Sequence, residues 1–351
     1  MDKPELLRLI WCITKQCNFN CEFCYTHSSP KATYGLPPEE MQAIADQINN
    51  SPVRHISVIG GEPFVRKDLK QIISALKPDI TLSLDTNGSQ LIRNWEDSYD
   101  KRFLHVSIGF DGPANDNEIY RRHTNNVLEA IEFLVRRGVK VMIPTIVTRK
   151  NCHNIKERVR YIAGLGVTKI QINKFSPVYG ARNEEMLLSE EQENAVLRDI
   201  HELAKENHCY KNLIRFSPWH NRIHLDKFAR KSLGSCFCGY WKASISAEGN
   251  FIPCLALCES EYADKFGAEY DIPNLLKGNI NTYFSESKLF RDVREAVVNY
   301  IPHTCQACVY KEKCTHGCRV ASYFYEGALK THDPNCKIPY SKETPGEAIH
   351  S

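Results

Sequence analysis

Cysteines 17, 21 and 24 lie in the stretch CNFNCEFCYTHSS, with three and then two residues between them. Thiolates are soft ligands that select zinc, copper(I) or iron–sulfur clusters. A structural zinc site takes four protein ligands, usually as two separated pairs, and no fourth cysteine shares this loop. A cubane four-iron cluster has four corners, so three thiolates hold three irons and leave the fourth open to an outside ligand.

A second set of thiols crowds the last third. Nine of the fifteen cysteines lie between 236 and 336. Cys305, Cys308, Cys314 and Cys318 form C-x2-C-x5-C-x3-C, and Cys238, Gly249 and Cys254 form C-x10-G-x4-C, with Cys236 before and Cys336 after. Clustered thiols in a reducing compartment read as metal ligands rather than disulfides. By spacing alone these fit iron–sulfur clusters or a pair of zinc sites. Cys12, Cys152 and Cys209 stand apart and read as core or surface thiols.

The elements that position the first loop recur as strand–helix units. Apolar runs fall at 8–14 (RLIWCIT), 54–59, 80–85, 103–110, 139–147 and 167–173. Between them PPEEMQAIADQI opens with prolines and acids, as a helix first turn does. NVLEAIEFLVRRG repeats apolar residues three and four apart and stops on Gly138. Alternating strand and helix implies parallel strands with right-handed crossovers. Six units predict an α/β fold, a partial (β/α)6 TIM-type barrel, with an open doubly wound sheet as the other arrangement. Either places chemistry at the carboxyl ends of the strands. The cysteine loop, Gly60-Gly61-Glu62-Pro63, Thr86-Asn87-Gly88 and Asp111-Gly112-Pro113 follow the first four runs there. The expected organisation is a barrel over 1–185, a helical linker over 186–235, a small cysteine-rich α+β domain over 236–340 and a flexible tail over 341–351. The helix of 186–208 is expected to leave the barrel, and 211–231, with six basic residues, Trp219 and two histidines, reads as a solvated interdomain stretch.

With 45 basic and 42 acidic residues the net charge is +3, which offers no footprint for nucleic acid or an anionic membrane. Mean hydropathy is −0.41, and no apolar run approaches the roughly 18 residues of a membrane span. Met-Asp-Lys-Pro-Glu leads into the first apolar run without a signal-peptide pattern, so the cytoplasm is the expected compartment.

C-x3-C-x2-C after a first strand, with Phe23 before the last cysteine, resembles the signature of the radical S-adenosylmethionine superfamily, and GGEP resembles its second motif. The match covers residues 8 to about 175. The resemblance implies that the open iron is chelated by S-adenosylmethionine and that reductive cleavage yields a 5′-deoxyadenosyl radical. It also implies nucleotide contacts at Phe23 and at Gly60, Gly61, Glu62 and Pro63. Thr86, Asn87 and Ser107 are the candidates for ribose or carboxylate contacts.

The carboxyl third resembles the SPASM domain, which carries two auxiliary [4Fe–4S] clusters. Residue by residue, the first would use Cys236, Cys238, Cys254 and Cys318, and the second Cys305, Cys308, Cys314 and Cys336. Cys236 and Cys238 are only one residue apart, tighter than the family pattern, so the first cluster has either both ligands or an open iron. Cys258 is the candidate hydrogen-atom donor, set against an ordinary buried thiol.

The implied function is hydrogen abstraction from a peptide or protein side chain, leading to oxidative modification or crosslinking. The alternative is dehydrogenation or epimerisation of a small sugar or alcohol. The implied partners are an external electron donor of flavodoxin or ferredoxin type and, as only seven residues precede the first run, a separate leader-binding protein for a peptide substrate. A zinc-stapled binding protein and a plain electron carrier are the rival classes.

Overall fold

The computed structural model describes residues 4–24, 26–118, 121, 123–176, 184–217, 236–258, 267–308, 311, 316–333 and 336. Nine strands form one sheet: β1 (Arg8–Cys12), β2 (His55–Ile59), β3 (Thr81–Thr86), β4 (Phe103–Ile108), β5 (Val141–Val147), β6 (Lys169–Lys174), β7 (Ile214–Ser217), β8 (Lys242–Ile245) and β9 (Phe251–Ile252). Their order is β7-β6-β5-β4-β3-β2-β1-β8-β9. Every pairing is parallel except β8 with β9. A doubly wound sheet reverses its strand order at a switch point; here β1 to β7 run in unbroken succession, as a barrel wall does.

The strands alternate. Leu9, Trp11, Ile56, Val58, Leu82, Leu84, Val106, Ile108, Ile170 and Ile172 enter one apolar core. It is closed from outside by Met41, Ile44 and Ile48 of the helix Pro38–Asn49, by Val127, Ile131 and Leu134 of Thr124–Arg136, and by Val159 and Ile162 of Ile155–Gly164. The opposite face carries Arg8, His55, Ser57, Ser83, Asp85, His105, Ser107, Gln171 and Asn173. Parallel strands covered on both faces by helices read as continuous apolar runs, so this alternation marks a polar interior. Burial on this face lowers His105, with Arg215, Arg8 and Lys140 adding to the effect.

The six expected strands are present within a few residues, and Gly138, at φ +74°, ends Thr124–Arg136 as expected. The stretch after 186 departs from expectation. Its helix, Glu190–Glu206, starts only at the Ser189–Gln192 capping box. It does not leave the barrel: Val196, Leu197, Ile200 and Leu203 join the barrel core, and the chain returns as β7 beside β6. Burying this apolar stripe explains the return. Most of the basic stretch at 211–231 lies outside the described residues, as does the tail.

Candidate active site and cysteine centres

The cysteine loop leaves the carboxyl end of β1 and is braced on itself. Cys17 N–H donates to Ser29 O at 3.1 Å, and Cys24 N–H to Cys21 O at 3.1 Å. Cys17 is buried, while Cys21 and Cys24 are partly exposed. The Cys17 sulfur accepts from Phe19 N–H at 3.3 Å and from Asn87 Nδ2 at 3.6 Å. Burial pushes the Cys17 thiol up to about 12, against the Phe19 hydrogen bond. Such a thiol stays protonated unless a metal displaces its proton.

The turn after β2 holds this loop from below. Gly61 N–H donates to Thr14 O at 2.8 Å and Glu62 N–H to Gln16 O at 3.0 Å. A Cβ on Gly61 would stand 2.5 Å from Gln16 O, 2.7 Å from Lys15 O and 2.8 Å from Cys17 Cβ. The close approach these glycines permit is therefore to the backbone carrying Cys17. Glu62 is fully buried and accepts from Phe64 N–H at 3.1 Å, Thr86 Oγ1 at 2.7 and 2.9 Å and Asn87 N–H at 2.6 Å. Pro63, buried, opens the short turn Pro63–Val65 that Glu62 caps. Asn87 also donates to Asn18 Oδ1 at 2.9 Å. Cys17, Glu62, Thr86 and Asn87 thus form one network joining three strand ends.

Ser107 faces its register partner Asp85 inside the barrel. Its hydroxyl is buried and makes no hydrogen bond of regular geometry among the described residues. Enclosure by the barrel pushes the Asp85 carboxyl up to about 6, with Ser107 working the other way. Phe23 packs against Phe175 and Met186.

Over the Phe23 ring, at 4.8 Å, lies the guanidinium of Arg121. Burial works against its charge, but Asp111, with Cys21 and Cys24 nearby, outweighs this and holds Arg121 above its usual value. Asp111 accepts from Arg121 Nε at 2.7 Å, Ile146 N–H at 2.7 Å and Thr145 Oγ1 at 3.1 Å. Arg121 escaped the sequence reading. Asp111 was visible as a turn residue, but nothing in the spacing tied it to an arginine ten positions on.

In the carboxyl third, Cys236 and Cys254 both hydrogen-bond to the Cys238 thiol. Cys318 is pushed up by burial and by the nearby charges of Cys236 and Cys254. These four cysteines pack in one cluster with Ile10, Cys12 and Ile59 of the barrel. Among the described residues no three His, Cys, Asp or Glu side chains surround one point as a single metal ion requires. Cys308 N–H donates to Cys305 O at 3.2 Å, and Cys336 N–H to Asp333 O at 2.9 Å. Asp333 also accepts from Cys318 N–H at 2.8 Å, linking the last cysteine to the first set. Cys314 lies outside the described residues, as does the side chain of Cys258, which ends the turn Leu255–Cys258.

Residues 11–173 match the model of the Radical SAM superfamily, over the strands and the cysteine loop just described. Over residues 11–173 the barrel is a radical S-adenosylmethionine domain, and the chain is an enzyme. Among curated proteins, the GTP 3′,8-cyclase of Staphylococcus carnosus is 27% identical over 274 residues, 69% of this chain and 76% of its own. The mycofactocin maturase MftC of Mycolicibacterium smegmatis is 25% identical over 352 residues, 96% of this chain and 83% of its own. Among solved structures, SuiB of Streptococcus suis bound to the precursor peptide SuiA shares the fold, with a TM-score of 0.76 at 16% identity, covering 95% of this chain and 76% of that one.

The residues of this radical S-adenosylmethionine domain fit its cofactors. Three thiols on one loop would hold three irons of a four-iron cluster, and two hydrogen bonds reach the Cys17 sulfur. No helix of the described residues is long and apolar enough to cross a membrane.

Proposed function

We propose that the enzyme abstracts hydrogen from a side chain of a peptide or protein, leading to oxidative modification or crosslinking, with two auxiliary clusters in its carboxyl third. The observation that carries this reading is the convergence of Cys236, Cys238, Cys254 and Cys318 beside the inner side of β1 and β2. A match to a maturase that covers 96% of this chain supports it.

Cys17, Cys21 and Cys24 would hold the cluster at which S-adenosylmethionine, when bound, is cleaved reductively to supply a 5′-deoxyadenosyl radical. Phe23, Gly60, Gly61, Glu62, Pro63, Thr86, Asn87 and Ser107 form the wall facing the nucleotide. Glu62 fixes this wall by tying three turns together, and Arg121 keeps a positive charge beside Cys21 and Cys24. Cys305, Cys308, Cys314 and Cys336 would form the second auxiliary set, and Cys258 a hydrogen-atom donor. The enzyme would work in the cytoplasm with an external one-electron donor and, for a peptide substrate, a separate leader-binding protein.

A second reading, dehydrogenation or epimerisation of a small polar molecule, draws on the polar barrel interior at His55, Asp85, His105 and Gln171. Anaerobic incubation of the reconstituted enzyme with S-adenosylmethionine, dithionite and either short precursor-type peptides or polyols separates the two. Loss of two hydrogens from a peptide, matched by 5′-deoxyadenosine, supports the first. Conversion of the polyol with peptides untouched replaces it with the second.

A further inference from the structure

Arg319 directly follows Cys318 and opens the helix Arg319–Glu326, which Cys318 caps by accepting Ala321 N–H on its sulfur at 3.4 Å. The arginine is 2% exposed. Its guanidinium spans two loops. Nη1 donates to Thr331 O at 2.7 Å and Nη2 to Tyr300 O at 3.3 Å, with the Tyr300 ring centre 5.6 Å from the central carbon. Each loop leads to a cysteine of the second set. Past Tyr300, Cys305 N–H donates to Pro302 O at 2.8 Å. Past Thr331, the Asp333 carboxylate accepts from Cys318 N–H at 2.8 Å and its carbonyl from Cys336 N–H at 2.9 Å. Arg319 therefore stands where the two cysteine sets meet.

The cation there has no anion of its own. Both acceptors are neutral carbonyls, and the buried Nε–H has no acceptor among the described residues. Burial holds the guanidinium below its usual value, against the pull of Cys305, Asp333, Tyr300 and Cys318. Cys236, lowered chiefly by its hydrogen bond with Cys238, also feels Lys242 and Arg319. A buried cation is strongly destabilising unless an anion meets it. An iron–sulfur cube on four thiolates is a net anion and gains further negative charge on reduction, so a cation beside it raises its potential.

We propose that Arg319 is a positioning residue shared by the two auxiliary clusters, a fixed positive charge that both answer and that makes each easier to reduce. Guanidinium keeps its charge at any pH the fold survives, so this is a permanent bias and not a switch. Its two carbonyl bonds hold the loops of the second set against Cys318 of the first, which keeps the shared charge in place. The proposal rests on the reading of both cysteine sets as iron–sulfur ligands.

The test uses the full chain, reconstituted anaerobically in a Cys17→Ala/Cys21→Ala/Cys24→Ala background so that only the carboxyl-third sets can load. Iron and sulfide are counted, and a dithionite titration followed by electron paramagnetic resonance gives the midpoint potential of each cluster. Arg319→Gln removes the charge and keeps an amide donor. It should lower the reduction equilibrium constant of both clusters about tenfold, which is about 59 mV for one electron. Arg319→Lys keeps the charge and should leave both constants within about twofold of the background. Unchanged midpoints in Arg319→Gln, a shift in one cluster only, or equal falls in both variants, as a purely mechanical clamp would give, overturn the proposal. If Arg319→Gln loads no iron, Arg319→Lys decides alone: background midpoints uphold the proposal and a tenfold fall sinks it. A background protein that loads fewer than two clusters refutes the ligand reading instead, and the proposal falls with it before any potential is read.

Discussion

Replacing Gly61 by alanine tests how the turn after β2 serves the cysteine loop. The added Cβ would meet Gln16 O at 2.5 Å, Lys15 O at 2.7 Å and Cys17 Cβ at 2.8 Å, where ordinary contact begins at 3.4 Å. None of these atoms can be moved by turning a side chain about χ1, so the loop itself must shift. Cys17 Cβ has to give about 0.6 Å, roughly three times the 0.2 Å tolerance of a metal–ligand distance. Overpacking of this kind costs about 1–3 kcal/mol, but the larger expected effect is loss of Cys17 as a ligand. Gly164 is the control. It closes the helix Ile155–Gly164 and a Cβ there meets nothing within 4 Å, so Gly164→Ala should leave stability within about 1 kcal/mol of wild type. Iron and sulfide are counted after reconstitution of Cys236→Ser/Cys305→Ser backgrounds, which isolates the first cluster, and urea unfolding gives stability. Gly61→Ala should bind little iron while still folding. Full iron loading with an unchanged unfolding midpoint would refute the reasoning.

Three further outcomes follow from the geometry. Asp111→Asn leaves the buried Arg121 without its counter-charge and should destabilise the fold by about 3–5 kcal/mol. Adding Arg121→Gln should restore part of that loss, and strict additivity in the double-mutant cycle would contradict the pairing. Burial lowers His55 to about 4, with Arg8 and His105 adding to the effect. The native state therefore holds it neutral while the unfolded chain protonates it near 6.5. Its contribution is complete above pH 6.5 and is lost as pH falls towards 4, amounting to about 1–2 kcal/mol once solvent screening of this half-buried ring is allowed for. His55→Gln should flatten that part of the pH–stability curve; an unchanged acid limb would count against a neutral His55.

Much of the site was legible because chemistry of this kind is written in short stretches. CNFNCEFC and GGEP each fall within one turn, and their places after β1 and β2 follow from strand periodicity alone. Distant pairing was not legible. β8 joins β1 across more than two hundred residues of chain, and nothing local in KASI names that partner. The polar interior is present as alternation in HISVI, TLSLD and KIQINK, which read as apolar runs when only their apolar residues are counted. The glycines of GGEP read as room for a ligand, whereas the nearest obstacle to a side chain on Gly61 is the cysteine loop. That distinction needs coordinates, because either crowding demands glycine.

Cys17, Cys21 and Cys24 would leave one iron of their cluster open to S-adenosylmethionine. The most direct measurement of this is 5′-deoxyadenosine formed from S-adenosylmethionine by the anaerobically reconstituted, dithionite-reduced chain, compared with the Cys17→Ala/Cys21→Ala/Cys24→Ala variant. The wild type should release the nucleoside and the triple variant none. Equal yields from the two proteins, or none from a wild type fully loaded with iron and sulfide, would contradict it.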